Sequence, residues 1–462
     1  MSVLPVLLWT DLLVWLLVAA VAGYALLCAR RPHLAAPWRR VARSRTAVMA
    51  ATVLAAYAAI GLADSLHLRL KLPGAERSGT AGYSPEVLSL LDLALGPLRA
   101  RTEKTYSAPL ATHSFSRELI EQPDGRALRA FPRLRHGGAH LADPSAWAGD
   151  VAARAASGLA AAALLWGAIL VLTRGPRRRR PEVPWGVGLA TLAVVLALAG
   201  IAGGLATAYH VLGTDKVGQD VLYLSLKAIR TSLVIGTLTT LVLLPLGVAL
   251  GIMAGYFKGW IDDLIQYLYT TLNSIPGVLL IAASVLMMQV YIQTHPELFP
   301  TAAQRADLRL LFLCGILGLT SWTGLARLLR GEALKLSELE YVQAAHAFGV
   351  RDARILTRHL LPNVAHIVII ALVMDFSGLV LAEAVLSYVG VGVDPSTISF
   401  GTMINGARLE MSREPVVWWS LGAAFSFMFV LVLAANLFAD AVRDGFDPRV
   451  RVGALPAAGA KP

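Results

Sequence analysis

Long stretches without a charged side chain alternate with short polar ones along this chain. A membrane-crossing helix needs about 20 mostly apolar residues. Nine segments meet that need, near 12 to 29, 46 to 63, 155 to 173, 186 to 210, 231 to 257, 264 to 291, 310 to 326, 363 to 390 and 415 to 439. All but the eighth lack Asp, Glu, Lys and Arg, and the seventh is short enough that it is expected to extend into its flanks. The pattern predicts an all-α polytopic membrane protein with about nine transmembrane helices. The one sizeable polar region, 66 to 150, mixes both charges with scattered Pro and Gly and is expected to fold as a small domain outside the membrane. Within it, Leu88, Leu90, Leu91, Leu93 and Leu95 suggest an amphipathic helix over Pro85 to Leu98, whereas Arg117 to Arg135 is too irregular for any element.

Composition agrees with the spans. Only 15% of the 462 residues are charged, against about 25% in soluble proteins, and the mean hydropathy is +0.61. A soluble multidomain enzyme is therefore a poor fit. The net charge of +11 would suggest nucleic acid in a soluble chain, but here its placement follows the membrane. Arg30, Arg31, Arg39, Arg40, Arg43 and Arg45 follow the first span, and Arg174 with the run Arg177 to Arg180 follows the third. Cytoplasmic loops are enriched in Lys and Arg. With nine crossings and the N-terminus outside, both clusters, the loop from Arg327 to Arg358 and the C-terminal tail fall in the cytoplasm. The basic excess thus records topology, and no nucleic-acid partner is expected. The first span is not read as a signal peptide, because its basic cluster comes after it.

Little covalent chemistry is legible. Cys28 and Cys314 cannot build a disulfide framework or a metal cluster. His346, His359 and His366 lack the spacing of a helical ligand pair, so no metal site is expected. There is no G-x-x-x-x-G-K-[ST] loop for a nucleotide and no G-x-S-x-G elbow. No catalytic residue is assigned, and no cofactor is expected in this chain. Asp375 and Glu383 stand out, since a carboxylate at membrane depth is expensive and normally faces a bundle interior, a partner or water. Glu383 reads equally as a structural hydrogen bond or a contact on a translocation path, and Asp375 as a polar contact between helices. Gly247, Gly251 and Gly255 repeat every four residues and predict close helix packing. Pro245 and Pro276 can bend their spans.

The polar loop Ser337 to Pro362 carries the most pattern. Ser337 and Glu340 fit a capping box that would start a helix. Gly349 would end it after about three turns through a left-handed cap. Tyr341, Ala344, Ala345 and Phe348 give that helix one apolar stripe, which either packs on its own bundle or needs a partner. A second helix is expected from Arg351, with Pro362 marking entry into the next span.

At this point the sequence resembles a known family. Ala344, Ala345, Gly349, Leu361 and Pro362 match the spacing of the EAA loop in permease subunits of bacterial ABC importers, with Gln343 in place of the usual Glu and His359 at a hydrophobic position. LGTDKVGQDV, containing Gly213, Thr214, Asp215, Gly218 and Asp220, followed by Arg230, resembles the dipeptide and oligopeptide branch, with Gln219 replacing an Arg. GIMAGYFKGWIDDLIQYLYTTLNSIPG, LAEAVLSYVGVG and NLFADAVRDGFDPR are similar to the same branch.

The resemblance implies a type I importer permease core with an extra N-terminal helix, an inserted outside domain and two added helices. The divisions are then 1–45 for the extra helix and basic loop, 46–65 for a first core helix, 66–150 for the outside domain and 151–210 for two added helices. The permease core follows at 211–445, with its coupling loop at 331–362, and a cytoplasmic tail at 446–462. Alternatively the core starts at 186. By resemblance, Glu340, Gln343, Ala344, Ala345, Phe348, Gly349, Leu361 and Pro362 would couple to an ATPase. The implied partners are two ATPase subunits that bind MgATP, a second permease, an extracytoplasmic solute-binding protein and membrane lipid. The implied location is the bacterial inner membrane, with the C-terminus cytoplasmic. Peptide-like solutes are the expected cargo, with nickel complexes, opines or sugars as alternatives. A sensor or assembly protein that reuses the bundle is the rival reading.

Overall fold

The computed structural model describes residues 3–71, 82–121, 127–299 and 301–446. Among these, nine helices are long and apolar enough to cross a membrane, and the chain is an all-α polytopic membrane protein. It opens with α1 (Trp9–Arg30), the amphipathic α2 (Pro32–Arg43) and α3 (Arg45–Asp64). The polar segment carries α4 (Leu90–Ala94) and α5 (Gly96–Ala100), and then come α6 (Trp147–Leu172), α7 (Arg174–Arg179) and α8 (Trp185–Ala206). The longest helix, α9 (Val221–Phe257), is followed by α10 (Gly259–Ser274), α11 (Gly277–Thr294), α12 (Ala302–Ser321) and α13 (Thr323–Ser337). After these come α14 (Glu340–Ala347), α15 (Asp352–Ile355), α16 (Leu361–Val389), α17 (Phe400–Ala407) and α18 (Trp419–Phe446). Beyond Phe446 the expected tail lies outside the described residues.

Strands occur only beside the helices. β1 (Val3–Val6) pairs antiparallel with β2 (His67–Leu70), which pairs with β3 (Leu88–Ser89), and β4 (Glu118–Glu121) forms a hairpin with β5 (Ala127–Ala130). The hairpin occupies the stretch Arg117 to Arg135 that had no legible pattern. The amphipathic helix expected over Pro85 to Leu98 is instead the pair α4 and α5. Ser89 and Asp92 cap α4 reciprocally, and Pro97 opens a new helix because it lacks the donor that would continue the old one.

Two spans differ from expectation, and the seventh extends as expected. The stretch 264 to 291 is two helices, because Ile275 is extended (φ −91°, ψ 130°) before Pro276, and the span proper is Gly277–Thr294. The short seventh span extends into both flanks, as α12 and α13 run together over Ala302–Ser337. The eighth starts early, running from Asp352 through a π-helical turn at Leu356–Leu360. Pro362 therefore lies in the first turn of α16, within a helical run already under way.

α9 is the hub of the bundle, packed by α13, α12, α16, α10, α3 and α18. The glycine repeat has the predicted effect. A Cβ on Gly251 would sit 2.7 Å from the Ala326 carbonyl, and one on Gly255 would sit 2.6 Å from the Arg330 carbonyl, so α13 lies nearly against the α9 backbone. α3 packs on both α9 and α18, whereas α8 packs on α3 and α6.

Candidate functional site

At the far end of α9 the chain makes a compact hairpin. The N-cap of α14 is Leu339, which offers no side-chain cap, and the expected capping box does not form. The reason is local. Ser337 still belongs to α13, and its hydroxyl donates back to the Leu334 carbonyl at 2.8 Å. α14 is accordingly eight residues long, about two turns. Its end is as predicted: Gly349 adopts φ +72°, its N–H donates to His346 O at 2.9 Å, and the Val350 N–H donates to Ala345 O at 3.1 Å.

One side chain anchors this helix. Val342 is 2% exposed and packs with Ile355, Leu360 and Val364, while Ala345 is half-buried beside them. The anchored face is thus centred on Val342, and Tyr341, Ala344 and Phe348 of the expected stripe are exposed. Phe348 is 88% exposed and Tyr341 45%. Glu340, Gln343, Leu361 and Pro362 are exposed as well. Polar bonds fix the hairpin to its neighbours. Tyr256 at the end of α9 donates to Asp352 at 2.7 Å, and Asn363 donates to the Tyr341 hydroxyl at 2.9 Å. Lys258 pairs with Glu338 and holds its carboxyl below the usual range. Gln343 donates to the Glu338 carboxylate at 3.3 Å. A groove of about 370 Å³, bordered by Phe257, Lys258, Gln343 and His346, runs along α14.

The LGTD segment lies at the opposite end of α9. Gly213 and Gly218 have φ of +72° and +77°, and Cβ atoms there would meet the Ser107 and Glu103 carbonyls at 2.4 and 1.9 Å. Both glycines are therefore required by conformation and by close approach. Thr214 donates to Thr105 O at 2.9 Å and accepts from Ser107 N at 2.7 Å. Asp215 accepts from the Val217 and Gln219 amides within its own turn. Asp220 caps α9 through Leu222 N at 2.9 Å and Tyr223 N at 3.2 Å, and its other oxygen meets His210 Nδ1 at 2.8 Å. On its far side, His210 Nε2 lies 3.4 Å from Glu103. Burial disfavours the charged imidazole, but the two carboxylates outweigh it and push His210 up to about 9. Glu103 is opposed by burial too, yet His210 and the amides of Arg135, His136 and Gly137 bring it down to about 2.

Arg230 is fully engaged inside the protein. Its guanidinium donates to Asp11 at 2.6 Å, Thr10 at 3.0 Å and Ser65 at 3.2 Å, and Asp11 in turn meets His67 at 2.7 Å. Beside it Lys227 bonds Asp64 at 2.6 Å and Asp92 at 3.1 Å. Sequence reasoning missed Asp11, Asp64, Asp92 and Lys227. Their one signal was a charge at the edge of an apolar run, with partners 219 and 163 residues away for Arg230–Asp11 and Lys227–Asp64.

The two intramembrane carboxylates separate. Glu383 is fully buried, and one oxygen accepts from Ser387 at 2.6 Å and Ser399 at 2.8 Å, so it ties α16 to the start of α17. Its other oxygen has no partner among the described residues. Asp375 is half-buried and makes no hydrogen bond or ion pair among the described residues, so the polar helix contact expected for it does not form there.

Comparison with known proteins gives a consistent result. The family described as binding-protein-dependent transport system inner membrane component matches residues 247–452. The oligopeptide transport system permease protein OppC of Mycobacterium tuberculosis (strain ATCC 25618 / H37Rv) is 30% identical over 242 residues, covering 52% of this chain and 77% of the relative. The glutathione transport system permease protein GsiD of Pectobacterium atrosepticum is 32% identical over 244 residues, covering 52% of this chain and 73% of its own length. The dipeptide transport system permease protein DppC of Bacillus subtilis (strain 168) is 29% identical over 246 residues, covering 53% of this chain and 70% of its own.

Proposed function

Since the chain belongs to the family of binding-protein-dependent transport inner membrane components, as a multi-pass permease subunit of ABC importers, we propose that it moves dipeptides, oligopeptides or peptide-like solutes and couples through residues 338–350 to a separate ATPase. The names of its relatives support this cargo class. The single observation that carries the coupling role is α14 itself, where Val342 is anchored while Phe348 stands 88% exposed at the tip of the bundle. An aromatic side chain held out on a braced helix is what an interface hot spot needs.

The ATPase and the solute-binding protein follow from membership of this importer family. The assembly we propose adds a second permease and two copies of the ATPase, whose hydrolysis of MgATP would move α14 and rock the bundle between two states. The Arg distribution supports an N-terminus outside and a C-terminus in the cytoplasm. We take α3 as the first core helix, supported by its packing on α9 and α18, with α1, α6, α8 and the 66–150 segment as additions.

Gly349→Val tests the coupling. No neighbour lies within 4 Å of a Cβ built there, so the cost is that of forcing φ +72° on a β-branched residue. The expected result is ATP hydrolysis that persists while uptake collapses in proteoliposomes. Uptake at the normal rate would overturn the assignment. The cargo is read most directly from the ligand that the cognate binding protein carries.

A further inference from the structure

An open groove of about 650 Å³ lies between α2, α3, α8 and α18, and its lining is mostly apolar. One wall is a single face of α3, where Val48, Ala51, Thr52 and Ala55 recur at helical spacing and leave a shallow, smooth trough. Trp38 of α2, Leu192 of α8 and Phe438 of α18 complete it. All but α2 are helices of membrane-spanning length, so the trough opens where acyl chains are the surrounding solvent.

The α2 end of this groove is strongly cationic. Trp38, Val41 and Ala42 line it from α2, and Arg39, Arg40 and Arg43 stand on the same helix with Arg45 just beyond. No Asp or Glu occurs anywhere between Asp11 and Asp64. Arg43 pairs with Glu182 just before α8, and Arg39 also acts on that carboxylate from further off, whereas Arg39, Arg40 and Arg45 make no direct ion pair among the described residues. The Arg43–Glu182 contact also brings the run ending at Arg180 to this end. In that run, Arg177 buries Nε and Nη2 with no hydrogen-bond partner among the described residues.

We propose that this groove seats an acyl chain of an anionic phospholipid whose phosphate is held by the arginines at its α2 end. The apolar trough alone would accept any lipid chain. The arginines, which outnumber the one carboxylate paired with them, select the head group, since a guanidinium donates to phosphate in a charge-assisted fork and clustered cations beside membrane helices attract anionic lipid. A free phosphate would satisfy the arginines and leave the trough unused.

The test uses the full-length chain purified with its accompanying subunits, stripped of lipid in mild detergent and titrated with phosphatidylglycerol, with phosphatidylcholine of the same chains, or with glycerol phosphate. Thermal unfolding should rise saturably with phosphatidylglycerol alone. Arg39→Gln with Arg40→Gln should weaken that response by roughly fivefold per arginine, and Ala51→Trp, which fills the trough, should remove it. An equal rise with phosphatidylcholine or glycerol phosphate overturns the proposal, and so does a full response in Ala51→Trp. If Ala51→Trp fails to assemble, quenching by lipid with brominated chains decides. The Trp38 emission, taken as the difference between wild type and Trp38→Phe, should be quenched more by brominated phosphatidylglycerol than by brominated phosphatidylcholine. Equal or absent quenching rejects the anionic site.

Discussion

Where α9 begins, three cations that enter the protein are answered by carboxylates from inside: Arg230 by Asp11, Lys227 by Asp64 and Asp92, and His210 by Asp220 and Glu103. Where α9 ends, α14 leaves Tyr341 and Phe348 uncovered and relies on Val342 for its anchor. A region whose polar groups are satisfied internally is built to hold still, because buried charges stripped of their partners are costly. A region with unburied aromatic surface is built to meet something else. α1 and the described residues of the 66–150 segment attach at the first kind of end.

The largest expected effect breaks the first region. Replacing Arg230 with Met removes the guanidinium from the Asp11 carboxylate, which is 1% exposed and keeps only His67 as an ionisable partner, and should cost about 3–5 kcal/mol. Thermal unfolding in detergent measures it. Adding Asp11→Leu should recover much of the loss, since an apolar pair can substitute for a buried ion pair once neither charge remains. A loss no smaller in the double variant would show that α1 is held by packing and not by this charge.

A second effect depends on pH and belongs to the same end. His210 is raised from 6.5 to about 9, so its contribution is complete below pH 6.5 and disappears as the pH climbs through 9. Glu103 is lowered from 4.5 to about 2, so its contribution is present above pH 4.5 and is lost as the pH falls toward 2. The docking of Glu103 and of residues 135–137 beside the LGTD turn should therefore be firmest between these limits. Hydrogen-exchange protection of the Arg135, His136 and Gly137 amides, which donate to Glu103, taken relative to base-catalysed exchange of free amides, should fall between pH 6.5 and 9. His210→Asn should remove that alkaline limb. Protection that stays flat across the window in the wild type would contradict the charged state assigned to His210.

The two regions were unequally legible in the sequence, for a physical reason. The spans could be read because a charge-free run of membrane length has few other uses, and Gly349 because its spacing from Ala344 and Ala345 marks a left-handed helix end. The ion pairs could not, since nothing local to Asp11 names a partner 219 residues away. Two local patterns also misled. Ser337 and Glu340 have capping-box spacing, but α13 absorbs the serine first, and the charge-free run 264 to 291 hides a chain break that Pro276 imposes. In both cases a neighbouring helix end decided what the spacing alone could not.

The smallest effect on folding is the one that best separates the two ends. Phe348→Ala removes a side chain that is already 88% exposed, so the fold should lose less than about 0.5 kcal/mol. Val342→Ala, on the same helix but 2% exposed, should cost roughly 2 kcal/mol because two buried carbons are lost and a cavity is left. The order should reverse for partner binding. If α14 docks on an ATPase through its outer face, Phe348→Ala should weaken co-purification of that subunit by more than about tenfold, as loss of a central aromatic anchor does, while Val342→Ala should do so only as far as it loosens the helix. A Phe348→Ala protein that retains its ATPase at wild-type strength would mean that this exposed aromatic serves no interface, and the contrast between the two ends of α9 would lose its functional meaning.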